Sequence, residues 1–277
     1  MKMKKLFLMM LAVIGLAACT SEKKNTESNP PRVLVLYYSQ TGATAQVARE
    51  LQSQLDADIE VIEVEEPYAG TFEETIARCQ QEKEAGVVPA VKPIQSNLSD
   101  YDLIFLGYPV WFGTYASPIA GLVRDEAFEG KKIVTFCTFG SGGLQASTAD
   151  LQAALPQAEI QAGYGVRNAR IAHVAEELNR FLIEGGYKAG EIDVLPAFME
   201  HHPVSEQEVE VFNEACADYQ FPLGTPVDVA VRQTATATDY EFTSSSTNPA
   251  GEETLSTIYV TLSKSEGSKA EFTQVIR

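Results

Sequence analysis

The 277-residue sequence predicts an α/β fold, a doubly wound five-stranded parallel sheet, with a small β-rich domain appended at its C-terminus. Three observations carry that expectation. Between Arg32 and Gly185, short apolar runs alternate with stretches of helical periodicity. Several of those runs are apolar at every position, as strands covered by helices on both faces must be. Beyond Glu191 the texture changes to stretches rich in Val, Tyr, Phe and Thr, separated by turn residues, which reads as a small antiparallel sheet.

The elements follow in order. Val33 to Tyr38 is a continuous apolar run bounded by Pro31 and Ser39, hence a buried strand. Thr44 to Leu55 carries Val47, Leu51 and Leu55 at four-residue spacing, hence an amphipathic helix. Ile59 to Val64 alternates as a short strand, and Phe72 to Ala85 reads as a helix stopped by Gly86. Leu103 to Gly107 and Lys132 to Cys137 are further apolar strands, each followed by a helix, over Ser117 to Val123 and Ser147 to Leu155. Ile160 to Gly163 is a short last strand, and Ile171 to Ile183 a helix ended by Gly185-Gly186. In the C-terminal part a helix is expected within Ser205 to Tyr219. Strands are expected over Pro226 to Arg232, Asp239 to Ser244, Ser256 to Ser263 and Glu271 to Ile276. The expected boundaries are 1–18, 19–31, 32–187 and 188–277.

The first segment reads as a leader. Lys2, Lys4 and Lys5 precede an apolar run, Leu6 to Ala18, too short to cross a bilayer and laid out as a signal peptide. Leu16-Ala17-Ala18-Cys19 resembles the bacterial lipobox, in which the cysteine becomes the first mature residue and is lipidated. That resemblance implies an exported protein held to a bacterial membrane, on its periplasmic or surface side, by a lipid on Cys19 alone, with residues 19–31 as a polar tether. Loss of the three leader lysines leaves 18 Lys+Arg against 38 Asp+Glu, so the net charge falls from −17 to −20. Such a charge disfavours nucleic acid and suits docking to a basic redox partner. Cys79, Cys137 and Cys216 show no metal-binding spacing and read as free thiols, with a Cys79–Cys137 disulfide as the alternative. His201-His202 in an extended segment would face opposite sides, which argues against a joint metal site.

Doubly wound sheets bind ligands at the carboxyl ends of their strands, so three loops hold the chemistry. The first is Ser39-Gln40-Thr41-Gly42-Ala43-Thr44, between a strand and a helix. A helix N-terminus offers unpaired N–H groups and a positive dipole end to a phosphate. No lysine or arginine occurs between Arg32 and Arg49, and neither GxxxxGK[ST] nor GxGxxG is present, so the donors are neutral. The second loop, after the third strand, is Gly107-Tyr108-Pro109-Val110-Trp111-Phe112-Gly113-Thr114, with the chain's one tryptophan. Aromatic side chains there suit stacking on a flat ring. The third, Cys137-Thr138-Phe139-Gly140-Ser141-Gly142-Gly143, has three glycines that free backbone groups for a ligand edge.

Tyr38-Ser39-Gln40-Thr41-Gly42-Ala43-Thr44 resembles the phosphate loop of flavodoxins, an aromatic followed by S-x-T-G-x-T. Ala43 departs from the asparagine frequent there. With GYPVW and FCTFGSGG after the expected strands, the resemblance spans residues 33–184. It implies strand order 2-1-3-4-5 and FMN as cofactor. The phosphate would sit on residues Ser39 to Thr44, the ring on Pro109, Val110, Trp111, Phe112 and Gly113, and the pyrimidine edge on Thr138, Phe139, Gly140, Ser141, Gly142 and Gly143. The leading expectation is an FMN electron-transfer protein at the bacterial envelope. The alternatives are an FMN-dependent NAD(P)H or quinone reductase and a non-redox binding lipoprotein on the same scaffold.

Overall fold

The computed structural model describes residues 31–69, 71–248 and 250–276, which form one compact unit. The expected signal peptide, lipidation site Cys19 and tether up to residue 30 lie outside the described residues.

The first part runs β1 (Val33–Tyr37), α1 (Ala43–Leu55), β2 (Asp58–Val61), α2 (Phe72–Ala85), β3 (Leu103–Trp111), β4 (Thr114–Tyr115), α3 (Ser117–Asp125), β5 (Lys132–Phe139), α4 (Leu144–Ala154), β6 (Glu159–Arg167) and α5 (Val174–Glu184). The sheet order is β2-β1-β3-β5-β6 with every neighbouring pair parallel. β4 is only the return arm of a hairpin on the end of β3. The five long strands therefore stand in the order 2-1-3-4-5, as the flavodoxin resemblance implies.

Alternation along the strands builds two cores. Leu34, Leu36, Ile104, Leu106 and Ile133 face one side, with Ile119 and Leu122 of α3 and Leu151 of α4. Val35, Phe105, Val134 and Phe136 face the other, with Val47 and Leu51 of α1 and Leu178 and Leu182 of α5. Burial on both faces is why β1, β3 and β5 are largely apolar, with Thr135 and Thr138 of β5 buried among them.

Residues beyond α5 add β7 (His202–Pro203), α6 (Glu206–Cys216), β8 (Thr225–Gln233), β9 (Ala237–Thr247), β10 (Glu253–Ser263) and β11 (Ala270–Ile276). These strands form a separate antiparallel sheet, β11-β10-β9-β8-β7. Its core is its own: Phe212 of α6 packs edge-on to Phe242 at 5.2 Å, over Val229, Ile258, Val260 and Phe272. His201 contacts Asp228 and Glu241, whereas His202 contacts Glu208, so the two imidazoles do face apart.

Several boundaries differ from expectation for physical reasons. β6 extends to Arg167 because its glycines interrupt the apolar run without ending the strand; Gly163 lies where a Cβ would strike Thr135 Oγ1 at 2.1 Å. α4 begins at Leu144, directly on the glycine turn, and Ser147 is buried with its hydroxyl donating to the Gly143 carbonyl. β3 continues through Trp111, so the expected second loop shrinks to a two-residue turn at Phe112-Gly113.

Two helices begin with reciprocal caps. Thr71 accepts from the Glu74 N–H while the Glu74 carboxylate accepts from the Thr71 N–H; Ser205 and Glu208 repeat the pattern on α6. Thr71→Ala and Ser205→Ala are each expected to lower unfolding free energy by about 1 kcal/mol in urea titrations.

Cys79, Cys137 and Cys216 are all free. Burial pushes the Cys79 and Cys216 thiols up to about 11, and the fully enclosed Cys137 higher still. At pH 8 only on the order of a hundredth or less of each would be thiolate. Native protein beginning after Cys19 is therefore expected to react slowly with a disulfide reagent, and to release three equivalents promptly once unfolded in guanidinium.

Candidate functional site

The loop between β1 and α1 is held in shape from within. Ser39 Oγ accepts from the N–H groups of both Gly42 and Ala45, each at 3.2 Å. Gly42 sits at φ 94°, a left-handed conformation that a side chain would oppose. Gln40 accepts from the Tyr38 hydroxyl at 2.5 Å and donates to the Tyr68 carbonyl at 2.9 Å, which fixes its amide at the loop's edge. Burial holds the Tyr38 hydroxyl well above its ordinary pKa, so it stays a donor.

Among the described residues, no acceptor takes the N–H groups of Thr41, Ala43 or Thr44. Ala43 and Thr44 are orphan donors in the first turn of a 13-residue helix, at its positive end, and Thr41 directly precedes its N-cap Gly42. One sequence expectation changes here. Thr44 is buried, and its hydroxyl bonds Thr138 Oγ1 at 2.8 Å, tying the first loop to the end of β5. Among the loop's three hydroxyls, Ser39's braces the loop, Thr44's points inward, and Thr41's alone is on an exposed residue.

Beside this loop lies a cleft of about 640 Å³. Its walls include Gln40 and Thr41, the β3 end from Pro109 to Phe112, and Thr138, Phe139 and Gly140 after β5. No charged side chain lines it among the described residues. Trp111 forms one wall, braced edge-on by Tyr38 at 5.7 Å and Tyr68 at 5.2 Å, so it is half-buried and oriented rather than freely exposed. Behind it, the Tyr68 hydroxyl donates to Glu82, and Arg78 pairs with Glu82 at 2.9 Å while stacking 4.1 Å from the Tyr68 ring. That arginine is thereby committed to the wall.

Phe112 occupies φ 51°, a left-handed conformation costing about 1 kcal/mol for a bulky residue, and is half-exposed at the hairpin tip. Strain of this kind concentrates at functional sites. The cleft also takes in residues that the sequence reading missed: Thr71, Thr75 and Cys79 of α2, and Asn168 after β6. The three on α2 are spaced by four, a one-face signal hidden inside a helix that reads as polar.

The glycine turn divides. Phe139 and Gly140 line the first cleft, but Ser141, Gly142 and Gly143, with Gly113, line a second of about 620 Å³ against the C-terminal sheet. The Val275 N–H of β11 donates to the Ser141 carbonyl at 2.8 Å. A Cβ on Gly142 would lie 2.3 Å from the Val275 carbonyl oxygen, so only glycine permits this approach. Arg167 donates to the Gly140 carbonyl at 2.8 Å and the Phe272 carbonyl at 2.6 Å, its guanidinium 4.1 Å from the Phe272 ring centre. Ser141 and Gly142 therefore meet β11, while Gly143 abuts Val110, which walls both clefts.

Comparison with known proteins bears on this geometry. The family model described as Flavodoxin matches residues 32–181. No curated protein matches the chain. Among solved structures, a candidate flavoprotein from Bacteroides uniformis ATCC 8492 is 24% identical, covering 55% of this chain and 99% of that one at TM-score 0.49. One from Bacteroides eggerthii DSM 20697 is 25% identical, covering 54% and 98% at 0.46. A flavoprotein in complex with FMN from Lactobacillus acidophilus NCFM is 21% identical, covering 53% and 97% at 0.45. The family match takes in more than half of the sequence, all five long parallel strands and the three loops at their carboxyl ends, and the chain belongs to the flavodoxin family.

Proposed function

We propose that the protein is a redox flavoprotein that binds FMN in the first cleft, and that it acts as an FMN-dependent reductase of a small molecule. One observation carries the cofactor assignment. Three N–H groups without an acceptor among the described residues lie at the start of α1, beside an uncharged cleft walled by Trp111. A phosphate ester needs such donors, and a flat heteroaromatic ring needs such a wall. The Flavodoxin match and the FMN complex of the Lactobacillus acidophilus flavoprotein support the same reading.

When bound, FMN supplies one- and two-electron chemistry through its ring. The protein's residues do the rest. Thr41, Ala43 and Thr44 would hold the phosphate by neutral donors, Trp111 would cover the ring, and Thr138, Phe139 and Gly140 would border it. No cation lines the cleft among the described residues, so negative charge on a reduced ring would go uncompensated, which lowers the potential. The second cleft, sharing Val110, Phe112, Phe139 and Gly140 with the first, favours a reductase over a bare electron carrier, because a carrier needs no second small-molecule site.

Titration of FMN into the purified protein tests the assignment. Quenching of both flavin emission and the emission of Trp111, the single tryptophan, is expected. Unchanged flavin emission with protein in excess would refute it. The leader reading adds a location to the proposal: export and anchoring through Cys19. Cys19→Ala is expected to move the protein from the membrane fraction to the soluble fraction, and retention at the membrane would exclude the anchor.

A further inference from the structure

We infer that strand β11 of the appended sheet positions the loops bordering the first cleft, with Val275 and Arg167 as the positioning residues that set how tightly the flavin ring is held. The inference rests on the FMN reading above. No residue of the appended sheet lines the first cleft among the described residues, so the effect passes through the loops. Gly140 to Gly143 carry one Cβ between them, that of Ser141. Glycine loses the most backbone freedom on ordering, and such a turn has almost no side chain to anchor it. Whatever fixes it must therefore grip its backbone.

β11 supplies that grip. The Ser141 carbonyl accepts from the Val275 N–H at 2.8 Å. The Gly140 carbonyl accepts from Arg167 at 2.8 Å, and a second donor of the same guanidinium goes to the Phe272 carbonyl at 2.6 Å. No other donor reaches the Gly140 or Ser141 carbonyl among the described residues, so both bonds lead to β11, one directly and one through Arg167. The strand itself is firmly seated, because Phe272 and Val275 are buried in the appended core. β11 is also the edge of its sheet, so the Val275 N–H that meets Ser141 points away from the ladder with β10.

A second grip falls on the turn after β6, residues Asn168–His173. Glu271 of β11 pairs with Arg170 and lies 3.4 Å from His173. Asn168 at the start of this turn lines the first cleft, as Gly140 does. One strand thus holds both loops on this side of the cleft. A turn released from it would spend only part of its time in the binding conformation, and apparent affinity falls by that fraction. One net hydrogen bond corresponds to roughly a tenfold change in such a fraction.

Flavin fluorescence titration well below the thermal midpoint of the cofactor-free protein tests this with a matched pair at one position. Val275→Pro removes the N–H and suits an edge strand, whereas Val275→Ala keeps the N–H and removes only packing. Val275→Ala is expected to lower the thermal midpoint yet bind FMN within about twofold of wild type. Val275→Pro is expected to bind FMN and riboflavin about tenfold more weakly, both alike because the turn borders the ring and not the phosphate, and to change the visible circular dichroism of the saturated flavin. Arg167→Lys, which cannot bond both carbonyls as the planar fork does, is expected to weaken both flavins by about fivefold. Wild-type affinity in Val275→Pro, or an equal loss in Val275→Ala and Val275→Pro, would overturn the inference. If Val275→Pro does not fold, wild-type affinity in Arg167→Lys would overturn it instead. Wild-type protein that binds FMN beside unaffected variants refutes this role alone; wild-type protein that binds no FMN refutes the flavin reading and this role together.

Discussion

Thr41→Asp is expected to lower FMN affinity by about a hundredfold while leaving riboflavin affinity within about threefold. Thr41 stands at the mouth of the loop, exposed, beside the unpartnered N–H groups of Ala43 and Thr44. A carboxylate there would compete with a phosphate for the same donors and repel it. At about 4 Å and an effective dielectric near 20, a unit pair costs about 4 kcal/mol, and exposure reduces that to roughly 2–3 kcal/mol. Riboflavin lacks the phosphate and so lacks the repulsion. The substitution also carries its own control: an acidic side chain at the start of a helix stabilises it by about 0.5 kcal/mol. The thermal midpoint without cofactor should hold or rise. Fluorescence titration with both flavins decides the matter; an equal loss for FMN and riboflavin would mean that the phosphate lies elsewhere.

Arg167→Ala should be the most damaging single change at the junction of the two sheets, at about 3 kcal/mol in urea unfolding. Arg167 is half-buried, and burial holds its guanidinium below its ordinary pKa. It bonds the carbonyl of Gly140 in the glycine turn and that of Phe272 in β11, and it stacks on the Phe272 ring. Alanine would remove the donor from the part-buried Phe272 carbonyl, leave that of Gly140 to water, and take the cation off the aromatic face. Arg167→Lys should recover less than half of the loss, because one ammonium cannot reproduce the planar fork and the stacking together. The same variants should show earlier proteolysis of residues 188–277, since this clamp and the Val275–Ser141 bond fix β11 to the turn. Wild-type stability in Arg167→Ala would show that the contact is incidental.

The parallel sheet was legible because its strands are buried on both faces, and burial writes itself into sequence as unbroken apolar runs such as Leu103 to Leu106. β6 was underestimated because Gly163 and Gly165 dilute that run while serving close packing. The phosphate loop was legible in residue type, but the direction of its hydroxyls was not. Thr44 turns inward to meet Thr138, a partner 94 positions away, and no local pattern reports such a bond. The wall contributed by Thr71, Thr75 and Cys79 was overlooked because short polar side chains on a helix also fit a solvated face. The division of the glycine turn depends on where β11 docks, which is a property of tertiary packing alone.

A crystal structure of the protein grown with FMN tests the central assignment most directly. The expected result is a phosphate within hydrogen-bonding distance of the N–H groups of Thr41, Ala43 and Thr44, with the ring against Trp111 and bordered by Phe139 and Gly140. A phosphate held by lysine or arginine side chains, or a flavin ring seated between Phe221 and the Gly142 turn, would contradict it.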